Sequence, residues 1–98
     1  MDNEDSMSAK QELIEEFRNE LPVLRAKARV SQKTVAEKIG ISRQTYSGIE
    51  IGKRDISWTT FLALVAYFPN NELTKTMING MDDFNYKLSL IMGTPEGR

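Results

Sequence analysis

Residues 31–54 read SQKTVAEKIGISRQTYSGIEIGKR. Gly40 stands between two apolar patterns, each about two helical turns long and each preceded by a serine. Ser31 and Ser42 can accept a hydrogen bond from the free N–H groups of a helix's first turn. Gly40 suits the left-handed conformation in which helices often end, and which other residues adopt at a steric cost. Val35, Ala36 and Ile39 give the first helix a narrow apolar stripe, and Tyr46 and Ile49 give one to the second. Ala36 is small where the two helices would touch, and Ile41 is apolar enough to fold back onto a core. Gly52 closes the second helix. The first helix must be short, because the second leaves it at a steep angle.

Similar punctuation organises the rest of the chain. Ser8 and Gln11 read as a capping box, opening a helix that buries Leu13, Ile14 and Phe17. Residues 1–7 read as a disordered acidic tail. Proline is tolerated in the first turn of a helix, so a new helix is expected near Pro22. It would bury Leu21, Leu24 and Ala28 and expose Arg25, Lys27 and Arg29. After a loop, GKRDIS, Ser57 caps a helix carrying Trp58, Phe61, Leu62, Val65 and Phe68, which Pro69-Asn70-Asn71 stops. A weaker helix is expected over 72–79, with Leu73, Met77 and Ile78 inward and Gly80 at its end. Asp82 is expected to cap a last helix carrying Phe84, Leu88, Ile91 and Met92, followed by a frayed tail, GTPEGR. No segment alternates like a strand. The expectation is an all-α fold of five to six short helices. One domain spans 8–81, with the two-helix corner at about 32–51, and residues 82–98 form a C-terminal helix and tail.

The chain of 98 residues has a formal net charge of −1, which conceals a marked asymmetry. Residues 1–24 carry seven acidic and two basic side chains, residues 25–54 two acidic and eight basic, and residues 55–98 five acidic and three basic. A basic middle between acidic ends points to an anionic partner, although a solvated mixed surface has the same composition. There is no cysteine and no histidine, which removes disulfide and thiolate chemistry and the commonest general base and metal ligand. Both absences count against an enzyme; no catalytic residue, metal or cofactor is expected. The longest apolar run, FLALVAYF, is far short of the ~20 residues that span a bilayer. The start, MDNEDSMSAK, is acidic and unlike a signal peptide. A cytoplasmic protein with no membrane contact is expected.

Two short helices joined by a glycine turn form a helix-turn-helix. Its apolar positions, Val35, Ile39, Ile41, Tyr46 and Ile49, leave Arg43, Gln44 and Ser47 outward near the start of the second helix. In such a unit that end of the second helix meets base edges in the major groove. Arginine can fork onto guanine O6 and N7, and glutamine onto adenine N6 and N7. Gln32, at the start of the first helix, stands where amides can meet a phosphate.

The stretch LRAKARVSQKTVAEKIGISRQTYSGIEIGKR resembles the Cro and phage-repressor group of DNA-binding domains, the Xre family. The resemblance covers about residues 20–68 and rests on Arg25, Ser31-Gln32, Ala36, Gly40, Ile41-Ser42, Glu50 and Gly52-Lys53 in one register. It implies a lambda-repressor-like domain, here with an extra N-terminal and a C-terminal helix. It also implies a phosphate contact and an orienting role for Gln32. Arg43, Gln44 and Ser47 would face bases, with Ser42 beside them, and Lys53 and Arg54 would approach the DNA backbone. Glu50 would pair with Arg25 as a structural contact. Two positions depart from the pattern. Gly48 stands where many members carry a base-reading side chain, and Ile51 where asparagine is frequent, so neither is given a DNA role.

Competing readings remain at the level of sequence. Arg43 and Gln44 could be a plain solvated helix face. Lys33 and Lys38 read as surface, and Tyr46 and the Trp58-to-Phe68 stripe as core. The stretch GIEIGKR imitates a phosphate-binding loop, but it is one residue short and has Arg54 in place of Ser or Thr. A transcriptional regulator, read as a repressor, would act as a homodimer on double-stranded DNA at a near-palindromic operator. The alternative is an antitoxin-type protein-interaction module in which DNA binding is secondary. Its motive is the acidic N-terminal helix and a C-terminal region containing Met81 and Met92, which could serve a second copy or another protein. No small-molecule ligand is evident.

Overall fold

The computed structural model of the chain describes residues 3–93. Its helices are α1 (Asn3–Ala28), α2 (Gln32–Ile39), α3 (Arg43–Glu50), α4 (Trp58–Tyr67), α5 (Glu72–Asn79) and α6 (Asp82–Met92). A 3-10 turn, Phe68–Asn70, joins α4 to α5, and no strand occurs among the described residues.

The expected break at Pro22 is absent, because α1 continues through it. A proline inside a helix costs about 3 kcal/mol in a lost hydrogen bond and a clash. Leu21 and Leu24, on either side of it, are both fully buried. Burying one leucine contributes about 1.5–3 kcal/mol, so the two together offset the penalty, and Pro22 itself lies on the exposed side. Nor does Ser8 open the helix. The first helical residue is Asn3, so residues 3–7 belong to α1. Residues 1–2 and 94–98, within the expected acidic and C-terminal tails, lie outside the described residues.

Leu13, Ile14, Phe17, Leu21 and Leu24 line one face of α1. That face meets α3, α4, α5 and α6, so α1 is the spine of the molecule. Phe17 lies at its centre, with ring centroids 5.9 Å from Phe61, 6.4 Å from Phe68 and 5.4 Å from Phe84. Trp58 is half-buried and stacks on Phe61 at 4.9 Å, with Lys10 Nζ over its ring at 4.9 Å from the centroid. Within α4 the buried residues are Phe61 and Leu64, while Leu62 and Val65 are only partly covered.

Apart from Ser8, each serine expected to cap a helix does so. Ser31, Ser42 and Ser57 accept from the backbone N–H groups of Thr34, Thr45 and Thr60 at 3.0, 3.0 and 3.1 Å. Asn71 caps α5 in the same manner. In α5 the expected inward Leu73 is 61% exposed, and Thr74 is buried instead. The Thr74 hydroxyl donates to the carbonyls of Phe68 and Asn71, so its burial leaves no polar group unsatisfied. Asp82 does not cap α6; it lies in the first turn, and Met81 precedes it without a side-chain bond. Lys87 on α6 reaches Asp83 at 3.1 Å and, across to α1, Glu16 at 3.3 Å and Glu12 at 3.8 Å.

Candidate nucleic-acid interface

The corner between α2 and α3 depends on one backbone angle. Gly40 has φ +84°, and the N–H groups of Gly40 and Ile41 both donate to the Ala36 carbonyl, at 2.9 and 3.0 Å. A Cβ on Gly40 would meet nothing within 4 Å. The requirement for glycine is therefore conformational and not a matter of space. Val35, Ala36, Tyr46 and Ile49 are buried beneath the corner, and Ile39 and Ile41 pack at its edge.

Three helices then converge on Glu50. Arg25 on α1 donates to it twice, from Nε at 2.6 Å and from Nη2 at 3.1 Å. Tyr46 on α3 donates its hydroxyl at 2.7 Å, and Gln32 on α2 its side-chain amide at 3.0 Å. Such a forked arginine–carboxylate pair fixes orientation as well as distance. Burial alone would raise the Glu50 carboxyl. The bonds from Arg25, Tyr46 and Gln32 together outweigh that and hold it below the ordinary carboxylate range. Burial and the bond to Glu50 push the Tyr46 phenol well above its usual value. Hydrogen bonding to Glu50 also raises the Arg25 guanidinium.

Arg18 makes a second clamp, which a reading of charge alone had missed. It is 7% exposed and donates Nη1 to the carbonyls of Ile49, at 2.9 Å, and Arg54, at 3.0 Å. Its remaining donors go to Glu15 at 3.1 and 3.2 Å. The end of α3 and the loop after it are thus bolted to α1. Nothing local to residue 18 signals partners more than thirty positions away. An Arg–Glu pair at i, i+3 on an otherwise apolar helix face was the one available sign.

Fixed in this way, α3 turns a polar edge to solvent. Arg43 and Gln44 are exposed at its first turn, and Ser47 is half-buried one turn on. The Ser42 hydroxyl is occupied by its cap and by Thr45 Oγ1 at 2.9 Å. Lys53 and Arg54 are exposed in the loop that follows. Gln32 is half-buried, with its amide already donating to Glu50.

A family model described as Helix-turn-helix matches residues 24–72, half of the chain. The chain belongs to this helix-turn-helix family, of the Xre and Cro type. It is a DNA-binding domain of the transcription-regulator class, and the family is regulatory, not catalytic. Comparison with curated proteins and with solved structures found no match. In helix-turn-helix terms α3 is the recognition helix, α2 the helix before it, and Glu50 the junction that sets the angle between them. None of the helices among the described residues is long and apolar enough to cross a membrane.

Proposed function

We propose that the protein is a sequence-specific transcriptional repressor that binds double-stranded DNA as a homodimer. The observation that carries this is the exposed Arg43–Gln44 edge of α3, held in place by the Glu50 junction. Arg43 and Gln44 enter the major groove and fork onto guanine and adenine edges. Lys53 serves the DNA backbone, and Gln32 serves it with the acceptor oxygen that its bond to Glu50 leaves open. Ser47 lies at the margin of the base-reading face, and Ser42 contributes by capping that face. The protein acts in the cytoplasm and is not an enzyme.

The homodimer needs a second surface. The expected stripe of Phe84, Leu88 and Ile91 is spent within the domain: Phe84 is buried, and Leu88 and Ile91 pack against the core. Tyr86 and Leu90, one turn apart on α6, are exposed, as is Met92. We assign that face to the second copy; on a near-palindromic site the two recognition helices are expected about one helical turn of DNA apart, roughly 34 Å.

The test is selection from a random duplex pool by purified protein at low salt. A near-palindromic sequence is expected; enrichment of none would sink the reading. Arg43→Ala should change base preference. Lys53→Ala should weaken all sequences alike and reduce the salt slope by about one. Leu90→Glu should yield a folded monomer by sedimentation. A second reading, an antitoxin-type interaction module, draws support from the open groove of about 430 Å³ between α1 and α6, lined by Glu12, Glu15 and Glu16. A stoichiometric second polypeptide on purification from the native host would favour it.

A further inference from the structure

Gly48 lies on the recognition helix itself. At roughly 100° per residue, it is about 40° around the helix from Gln44 and one turn further along. Buried Tyr46 lies roughly 160° around the helix from it and buried Ile49 roughly 100°. Gly48 is therefore on the outward face, yet it has no side chain to present. The space is filled from elsewhere. A Cβ built on Gly48 would stand 2.9 Å from Arg54 Cγ, 3.3 Å from its Cδ and 3.5 Å from its Cβ. The aliphatic stem of Arg54 lies directly on the bare backbone of α3.

The root of that stem is fixed. The Gly48 carbonyl accepts from the N–H groups of both Lys53, at 2.8 Å, and Arg54, at 3.1 Å. The Arg54 carbonyl accepts from buried Arg18 at 3.0 Å. With the backbone held on both sides, the side chain starts beside Gly48 and its stem lies in the space that glycine leaves open. Arg54 is exposed, and its guanidinium makes no ion pair among the described residues.

We propose that Arg54, laid across Gly48 onto the outward face of α3, is a specificity-determining side chain that reads a base edge beside the one read by Gln44. The proposal rests on the DNA-binding reading above and assigns Arg54 a base in place of the phosphate that the family resemblance implies. Gly48 is then the seat of a base-reading group borrowed from the following loop, not a missing contact. Its absent Cβ is what lets a side chain six residues later stand on the recognition surface. Arginine suits the task because its planar fork matches guanine O6 and N7.

The experiment is duplex selection and titration with wild type, Arg54→Ala, Arg54→Lys, Gly48→Ala and the Gly48→Ala/Arg54→Ala double variant, each checked for helicity by circular dichroism. Arg54→Ala should lose preference at one base position per half-site, with affinity for the preferred base falling roughly 5- to 150-fold. Arg54→Lys keeps the charge and the salt slope but should lose the same preference, since a lysine has no fork. Gly48→Ala places a methyl group where the Arg54 stem lies. Because the clash is at Cγ, near the root, relief requires swinging the whole side chain away, and the preference should fall as in Arg54→Ala. The double variant should lose no more than either single change. A uniform loss across all sequences with a shallower salt slope, or full rescue by Arg54→Lys, overturns the proposal. So does a helical Gly48→Ala that keeps the wild-type preference. A wild-type protein that enriches no sequence sinks the DNA-binding reading itself. One that enriches a palindrome while Arg54→Ala retains every preference sinks only the assignment of Arg54.

Discussion

Around Glu50, side chains from α1, α2 and α3 meet through four directed hydrogen bonds on one carboxylate. Around Phe17, rings from α4, the 3-10 turn and α6 meet through contact alone, at centroid distances of 5.4–6.4 Å. Both junctions involve α1, but they do different things. Apolar burial is strong and has no preferred direction. Hydrogen bonds contribute less net free energy, yet they demand particular distances and angles. The aromatic junction therefore makes the domain stable, and the polar junction decides where α3 points. This division predicts that lesions in the two places fail differently.

The largest loss is expected from Phe17→Ala. It empties the centre of the aromatic cluster and should cost about 4 kcal/mol, as truncation of buried aromatic residues generally does. Small domains are stable by only about 5–15 kcal/mol. The melting temperature should fall by roughly 16–32 °C, measured by thermal circular dichroism. The fraction still folded at low temperature should keep the wild-type base preference. A changed preference would mean that the core also sets the angle of α3, and the division would fail.

Next comes Arg25→Ala. It leaves the Glu50 carboxylate buried with only neutral donors. Removing one partner of a buried pair costs about 3–5 kcal/mol. The Arg25 side chain is 24% exposed, so roughly 2–3 kcal/mol is expected here. Unlike Phe17→Ala, it should lower DNA affinity even where the protein remains folded, because it frees the angle between α1, α2 and α3. Unchanged affinity of the folded fraction would break the comparison from the other side.

Acid provides a graded version of the same lesion. Glu50 is held below its ordinary range in the folded chain, against an unfolded value of about 4.3. Its contribution is therefore full above about pH 4.3 and is lost as pH falls through the lower folded value. In Arg25→Ala the unpaired carboxyl is penalised by burial, and protonation relieves it. The stability gap between wild type and Arg25→Ala should narrow below about pH 4, by chemical denaturation at several pH values. A gap independent of pH would show that Arg25 acts by its apolar stem and not by its charge.

What could be read from the sequence divides along a similar line. The caps at Ser31, Ser42 and Ser57 and the turn at Gly40 were legible because each is a local rule tied to one residue type. The pairing of Arg25 with Glu50 followed from the family register. Tertiary contact decided the rest. Pro22 looked like a boundary because its local cost is visible and the burial of Leu21 and Leu24 that offsets it is not. Leu73 looked inward by hydrophobicity, but Thr74 could satisfy its hydroxyl on nearby carbonyls and took the buried place. Arg18 was only one charge in a count and Arg54 a residue expected at the DNA backbone, and only the folded chain brings one beneath the end of α3 and the other across Gly48.

A smaller effect, about 1 kcal/mol, is expected from losing a serine cap. Ser42→Ala and Ser57→Ala make a matched pair, one on α3 and one on α4. Both should lower stability about equally. Only Ser42→Ala should also weaken DNA binding, since the turn it caps carries Arg43 and Gln44. Equal effects on binding would show that α3 needs no local support beyond the Glu50 junction.

The smallest effect lies at the joint between α1 and α2. Arg29 has φ +58°, the one non-glycine residue with positive φ among those described. It closes α1 with the two bonds of a Schellman end, Arg29 N–H to Ala26 O and Val30 N–H to Arg25 O, each 3.2 Å. Glycine is the residue that this conformation prefers. Arg29→Gly relieves the strain but also loosens the unfolded chain, and those terms oppose each other. A net gain of about 0.5–1 kcal/mol is expected by denaturant titration. Arg25 also donates to the Val30 carbonyl at 3.3 Å, so the joint remains held from the polar side. Base preference should therefore stay as it is while stability rises. If preference changed instead, the left-handed residue would be part of what aims α3, and the polar junction would extend one turn further than Glu50.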